Sequence, residues 1–450
     1  MQSLYSLTVT ELIEKIKSRE ISSEEIVKEC FQRIHLLEPL IHAWVCFNEE
    51  QSIRRAKIID SEMNQGAYKG RLCGIPLGIK DIFNTADFPT EMGSFIWKGF
   101  NSGNDARVVF NLNYEGGIVI GKTKTSEFAV HEPTDTCNPH DLRRAPGTSS
   151  GGSAAAVAAG MVPFALGSQT AGSTIRPASY CGIFGYKPSF GLVPRTGVLK
   201  TTDTLDTVGW FARSIDDLEL FFDILRVQGE NYPLVNQHVV RSSLTHPLKI
   251  GLYKGLHWEK AEPHAQDALL NAAIQLSALG IVEEVYLSES QEIYDAHELI
   301  YCKALSYYFR AEQRNTRDHI SRVLVEMLDR GESTTTEAYL SAVSRQSHLT
   351  RTVPEHWTHD VWITLSAGGE APIGLRSPDR MDSCKIWTYL GMPVISLPLF
   401  QSPDGMPIGL QIVAKKYNDY LLLDIARQIW TCLKGRYVLA EPLKPTEALR

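Results

Sequence analysis

The chain has 450 residues, 43% hydrophobic and 22% charged, which excludes a disordered or fibrous protein and allows one very large domain or two to three ordinary ones. Lys+Arg 45 against Asp+Glu 52 leave a net charge of -7 dispersed along the chain, so no basic face for nucleic acid or an anionic membrane is implied, and small molecules are the expected partners. The eight cysteines contain no C-x-x-C pair, which argues for reduced thiols, and no stretch reads as a secretory signal or a membrane span, so a cytoplasmic setting is expected.

Residues 8–38 read as two amphipathic helices, the second opened by Ser22 and Glu25 at capping-box spacing and ended by Pro39, within a helical N-terminal arm over 1–70. From Leu72 the texture changes to short β-branched runs bounded by Gly and Pro: GIPLGIKDIF, GGIVIGKT and VPFALGSQ. Such runs suit strands buried on both faces. Helical stretches at 153–159 and 214–226 fall between or after them, and the segment 153–168, Ala/Gly-rich and holding Pro163, reads as a buried helix followed by a turn. Later strands are expected at 248–253, 282–287, 361–365, 394–397 and 408–414, with helices near 262–279, 292–330 and 418–433. The polar stretch 228–246 is the one soft boundary, but the same texture resumes after it. The expected fold is α/β: a single large α/β/α domain over 1–450 with a mixed, mostly parallel central sheet covered by helices, a core over 72–230 and a helical insertion over 290–355.

The most unusual segment is 145–160, APGTSSGGSAAAVAAG, a loop of glycines and hydroxyls directly before a run of small helix-compatible residues. A phosphate cradle, a flexible linker and a catalytic pocket of hydroxyls and amides are the competing explanations. Apolar flanks argue against the linker, and the phosphate reading lacks its lysine. A second polar cluster, GSQTAGSTIRPAS over 167–179, places Ser173 among small neighbours, with the backbone N–H groups of Thr170, Ala171, Gly172 and Ser173 able to hold an oxyanion. No histidine lies in either loop, so another base is required. Lys80, set among Ile75, Leu77, Ile79 and Ile82, fits, because apolar surroundings disfavour the ammonium and leave an amine able to accept a proton.

Together these segments resemble the amidase signature family, and the resemblance extends over nearly the whole chain: GIPLGIKDIFNTADFPTEMGS, GGIVIGKTKTSEFA, the signature over 145–188, APIGLRSP, WTYLGMPVISLP and GMPIGLQIV. It implies a Ser-cisSer-Lys triad with Ser173 as nucleophile, Lys80 as base and Ser149, 24 residues before Ser173, as a bridging serine held by a cis peptide. It further implies amide hydrolysis of a small-molecule carboxamide through an acyl-enzyme, without cofactor or metal, with Met92, Gly93, His131 and Ser150 near the substrate; a homodimer is compatible with it. In this chemistry neutral Lys80 takes a proton from Ser149, which takes one from Ser173 as it attacks the amide carbon. Thr148, Gln169, Ala171 and Arg176 depart from the family's commoner pattern. These departures make transamidation, the role of the glutamyl-tRNA amidotransferase member of the family, the second choice. A non-catalytic partner subunit on the same scaffold is a third reading.

Three other features compete. GGIVIGKT over 116–123 satisfies the Walker A pattern letter for letter, yet Ile118, Val119 and Ile120 favour a strand over a phosphate loop. Cys181 could suggest a thiol nucleophile beside Lys80, but a small apolar role suits it better. His356 and His359 have i, i+3 spacing next to Asp360 without a third ligand, which reads as a polar turn rather than a metal site.

Overall fold

Thr8 and Ser22 each accept a hydrogen bond from the backbone N–H three residues on while Glu11 and Glu25 reach back, so two capping boxes start helices α1 (Val9–Lys17) and α2 (Ser23–Ile41). The computed structural model describes residues 3–68, 70–228 and 247–433. Pro39 does not end α2 as expected. It lies in the last turn, where its missing N–H removes a single bond, and the helix stops at His42, whose φ of 55° is a left-handed cap. Strand β1 (Trp44–Phe47) and helix α3 (Glu49–Asn64) follow, so the N-terminal segment contributes a strand as well as helices.

The three early apolar runs form β2 (Pro76–Lys80), β3 (Ile118–Thr123) and β4 (Phe164–Gln169); β5 (Phe184–Lys187), β6 (Thr207–Ala212), β7 (Leu248–Tyr253), β8 (Gly280–Val285), β9 (Val361–Leu365), β10 (Val394–Gln401) and β11 (Pro407–Ala414) complete one sheet. Its order is β1-β3-β2-β4-β6-β5-β10-β11-β9-β7-β8. Every residue of β2, β3, β6, β9 and β11 is buried, which alternating side chains permit only when both faces are covered. The sheet is mixed, but the expectation of a mostly parallel one is corrected. Among the described residues only β2–β3, β2–β4, β7–β8 and β7–β9 pair in parallel. The other six pairings are antiparallel. The connection between β10 and β11, residues 402–406, is too short for the crossover that a parallel pair needs.

Helices α4 (Arg107–Tyr114), α5 (Gly151–Ala158), α6 (Ile175–Cys181), α7 (Ile215–Leu225), α8 (Pro263–Leu276), α9 (Ser290–Tyr308), α10 (Arg310–Asn315), α11 (Arg322–Ser333), α12 (Thr336–Glu355), α13 (Cys384–Tyr389) and α14 (Asp419–Leu433) cover it. The single stretch expected at 292–330 is thus divided among three helices. They pack around a second apolar cluster containing Phe128, Tyr301, Trp362 and Trp387, apart from the main core under α1, α2, α7 and α14. Of the soft boundary at 228–246, all but Gln228 lies outside the described residues. No described helix is long and apolar enough to cross a membrane, and all eight cysteines are free thiols.

Candidate active site

The three parallel strands β3, β2 and β4 end side by side, and a parallel sheet presents its working residues beyond its carboxyl edge. Lys80 is the last residue of β2 and Ser168 the last but one of β4. The glycine-rich loop rises to the same edge because Ser153, in the first turn of α5, bonds both neighbouring strands: its Oγ lies 2.6 Å from Thr123 Oγ1 and donates to Leu166 O at 2.8 Å. Gly152 permits that approach, since a Cβ there would sit 2.5 Å from Lys124 O and 2.6 Å from Ala43 O.

Lys80 is fully buried, and its Nζ lies 2.9 Å from Ser149 Oγ, 2.9 Å from Ser150 Oγ and 2.8 Å from Ser168 Oγ. Among the described residues it makes no ion pair. Burial holds its pKa well below the ordinary lysine value, opposed only by the more distant Asp206 charge. Ser150 donates to Ser168 O at 3.1 Å and accepts from Ser168 N–H at 3.2 Å, so its hydroxyl proton is committed. Ser149 and Ser168 remain as the hydroxyls able to donate to a neutral amine. The structure therefore brings together Lys80, Ser149 and Ser150, and adds Ser168, which the sequence reading missed although it lies in the quoted VPFALGSQ run.

Ser173 stands just before α6, with 6% of its surface exposed, and among the described residues its Oγ makes no hydrogen bond, to Ser149 or to any other group. All described peptide bonds are trans, so the cis peptide implied for Ser149 is corrected; the trans form of a non-proline bond is favoured by about 2.5–4 kcal/mol. The N–H groups of Thr170, Ala171, Gly172 and Ser173 have no hydrogen-bond acceptor among the described residues.

Three of the four departures, Thr148, Gln169 and Arg176, make side-chain hydrogen bonds, and Ala171 enters through its backbone carbonyl. Thr148 Oγ1 donates to Asp379 Oδ2 at 2.5 Å, and Arg176 Nη1 meets the same oxygen at 2.7 Å, so one carboxylate ties the Ser149 loop to α6; Arg176 also holds Asp382 at 2.7 Å. Gln169 Oε1 accepts from Thr174 and Ile175 N–H at 3.0 and 3.1 Å, while its Nε2 donates to Thr388 Oγ1 at 3.0 Å, which in turn donates to Ala171 O at 3.0 Å. An aspartate at 169 could accept from those two amides but has no proton for Thr388.

The remaining sequence candidates have these surroundings. Met92, at φ 56°, and Gly93 turn tightly over 125–126, where a Cβ on Gly93 would meet Thr125 O at 2.6 Å. His131 faces the Tyr301 ring at 5.9 Å; burial, with the nearby Lys385 and Arg176 charges, pushes its pKa down to about 4. A cavity of about 380 Å³ opens beside Ser168 and Thr170, with Ile82, Ala129, Leu199 and Asp206 in its wall.

Lys122 of the Walker-like string is a fully buried strand residue whose Nζ is spent on Asp81 (3.0 Å), Phe83 O (2.9 Å), Pro89 O (3.0 Å) and Thr90 Oγ1 (2.8 Å), leaving nothing for a phosphate. Cys181 ends α6 fully buried, and burial pushes its thiol pKa up, away from the reactive thiolate. His356 and His359 lie in the turn before β9, with His359 Nε2 3.3 Å from Glu283.

A model of the family described as Amidase matches residues 25–423. The A subunit of the glutamyl-tRNA(Gln) amidotransferase of Carboxydothermus hydrogenoformans is 36% identical over 475 aligned positions, covering 94% of this chain and 96% of the relative. Among solved structures, the A subunit of the Thermotoga maritima glutamyl-tRNA(Gln) amidotransferase superposes with a TM-score of 0.83 at 27% identity, covering 99% of each chain. A 6-aminohexanoate cyclic dimer hydrolase complexed with its substrate reaches 0.85 at 25% identity, covering 98% of this chain and 99% of that one. With its family model spanning all eleven described strands of the sheet, the chain belongs to the amidase family.

Proposed function

We propose that the chain cleaves the C–N bond of a carboxamide through an acyl-enzyme on Ser173. The observation that carries the proposal is Lys80: an amine in full burial, without a carboxylate partner among the described residues, in hydrogen-bond reach of Ser149. Burial disfavours the ammonium form of such an amine, and its neutral form can take the Ser149 proton as Ser149 takes that of Ser173. The Ser173 Oγ–carbon bond then forms and the carbonyl oxygen becomes an oxyanion within reach of the unpaired amides of 170–173. Collapse breaks the C–N bond, and the departing nitrogen receives through Ser149 the proton that Lys80 had taken. Substrate binding closes the Ser149–Ser173 link, as catalytic hydrogen bonds often tighten only in the Michaelis complex.

Hydrolysis, in which water takes the acyl group, is supported by the hydrolase among the structural neighbours. The comparisons favour a second reading more strongly than the loop residues do. The relatives at 30–36% identity are amidotransferase A subunits, in which case the ammonia released by the same first step passes to another acceptor and the chain works with partner subunits. A cytoplasmic setting fits either reading. A fluorophosphonate probe followed by peptide mapping tests the shared step: the adduct is expected on Ser173 and is lost in Lys80→Ala, whereas clean labelling elsewhere, or undiminished labelling of Lys80→Ala, overturns the assignment. Ammonia release from a panel of primary amides, with glutamine among them, then separates the readings.

A further inference from the structure

A trans peptide points its carbonyl and its N–H in opposite directions, so whatever grips the carbonyl aims the amide. Three successive carbonyls after β4 are gripped in this way. Thr170 O lies 2.7 Å from His297 Nε2, Ala171 O accepts from Thr388 Oγ1 at 3.0 Å, and Gly172 O accepts from Arg176 N–H at 3.0 Å. The N–H groups of the same three peptide units belong to Ala171, Gly172 and Ser173, and they are the amides without an acceptor among the described residues.

The three grips have different origins. The Arg176 bond is local to α6. The Thr388 bond comes from α13 and is itself oriented by Gln169. The His297 bond comes from α9, 127 residues along the chain, in the helical segment 290–355. A carbonyl only accepts, so His297 Nε2 carries the proton. His297 is fully buried and its Nδ1 has no partner among the described residues, so the ring's one polar bond is the one to the loop. Its side chain is held otherwise by packing, with the Tyr301 ring 6.0 Å away at a 72° tilt. Thr170 Oγ1 also donates to Asp206 Oδ1 at 2.8 Å, just before β6, so Thr170 is tied both to the entry of that strand and to the helical segment.

We propose that His297 is a positioning residue: by donating to the Thr170 carbonyl it aims the Ala171 N–H at the developing oxyanion and couples α9 to the reaction. The inference deepens the acyl-enzyme reading and rests on it. A donor that is present but misaimed retains part of its effect, so the loss is smaller than the roughly 10²–10³-fold that removal of an oxyanion donor causes.

The rate of Ser173 phosphonylation by a fluorophosphonate tests this, because the phosphonyl oxygen takes the place of the oxyanion. His297→Leu is expected to slow labelling by about tenfold or more without a matching fall in melting temperature. His297→Gln, whose amide N–H can reach the same carbonyl, is expected to recover most of the rate. Labelling of His297→Leu at the wild-type rate, or equal slowing of the Leu and Gln variants, overturns the role. Should His297→Leu fail to fold, His297→Phe, which keeps an aromatic ring against Tyr301 but has no donor for the Thr170 carbonyl, carries the same comparison: slowing supports the positioning role and a wild-type rate overturns it. Failure of the underlying reading is distinguishable, since the wild-type chain itself would then go unlabelled at Ser173.

Discussion

Two lysines lie on adjacent strands, both fully buried, and they do opposite things. Lys122 on β3 meets the Asp81 carboxylate, two backbone carbonyls and a threonine hydroxyl, so its ammonium is compensated on every side. Lys80 on β2 meets three serine hydroxyls and, among the described residues, no carboxylate. Burial lowers both pKa values, but Asp81 restrains the shift at Lys122, whereas nothing close restrains it at Lys80. The difference teaches that burial alone does not make a lysine a base; burial without a counter-charge does. Lys122 pins the loop from Asp81 to Thr90 that leads to Met92, and Lys80 is left free to exchange a proton.

The largest expected effect comes from exchanging these roles. Lys80→Ala is expected to slow labelling or turnover by about 10²–10⁴-fold while the melting temperature changes little, and Lys80→Arg does not rescue it because a guanidinium stays protonated. Lys122→Met is expected to destabilise the fold by about 3–5 kcal/mol, since it leaves Asp81 buried and unpaired, and Asp81→Asn in the same chain should recover part of the loss. Denaturant unfolding and probe labelling on all four variants measure both axes. If Lys122→Met unfolds no more easily than Lys80→Ala, the contrast between the two lysines is broken.

pH sharpens the same comparison with a smaller effect. The active form requires neutral Lys80, whose folded pKa is depressed, so activity is full above that value and is lost as pH falls through it. Asp206 is the charge that favours the Lys80 ammonium, so Asp206→Asn is expected to move the acid limb of the labelling rate to lower pH. A limb that moves to higher pH, or that is absent from the wild-type profile, would remove Lys80 from the role of base. The smallest expected effect is none: ATP with magnesium should leave the melting temperature unchanged, because the Lys122 donors are already satisfied inside β3. Nucleotide-dependent stabilisation would restore the Walker-like reading.

Much of the scaffold was legible in local sequence. Apolar runs bounded by Gly and Pro marked β2, β3 and β4, and the Ser22–Glu25 pair marked the start of α2, because burial on both faces and capping act within a few residues. Pro39 misled because a proline disrupts a helix according to its position, and the last turn has little to lose. Strand direction was illegible, since apolar runs look alike whichever way they point, and the antiparallel majority emerged only from the pairing.

The sequence by itself determined which groups this protein carries to the edge of its sheet: a lysine closing an apolar strand, two hydroxyl-rich loops, and departures at Thr148, Gln169, Ala171 and Arg176. Tertiary structure alone decided what those groups meet. Asp379 joins Thr148 to Arg176, Thr388 joins Gln169 to Ala171, and His297 reaches Thr170, each across more than a hundred residues of chain. Hydrogen bonds act over about 3 Å and take no account of sequence separation, so partners brought together by the sheet leave no periodic or local signal to read.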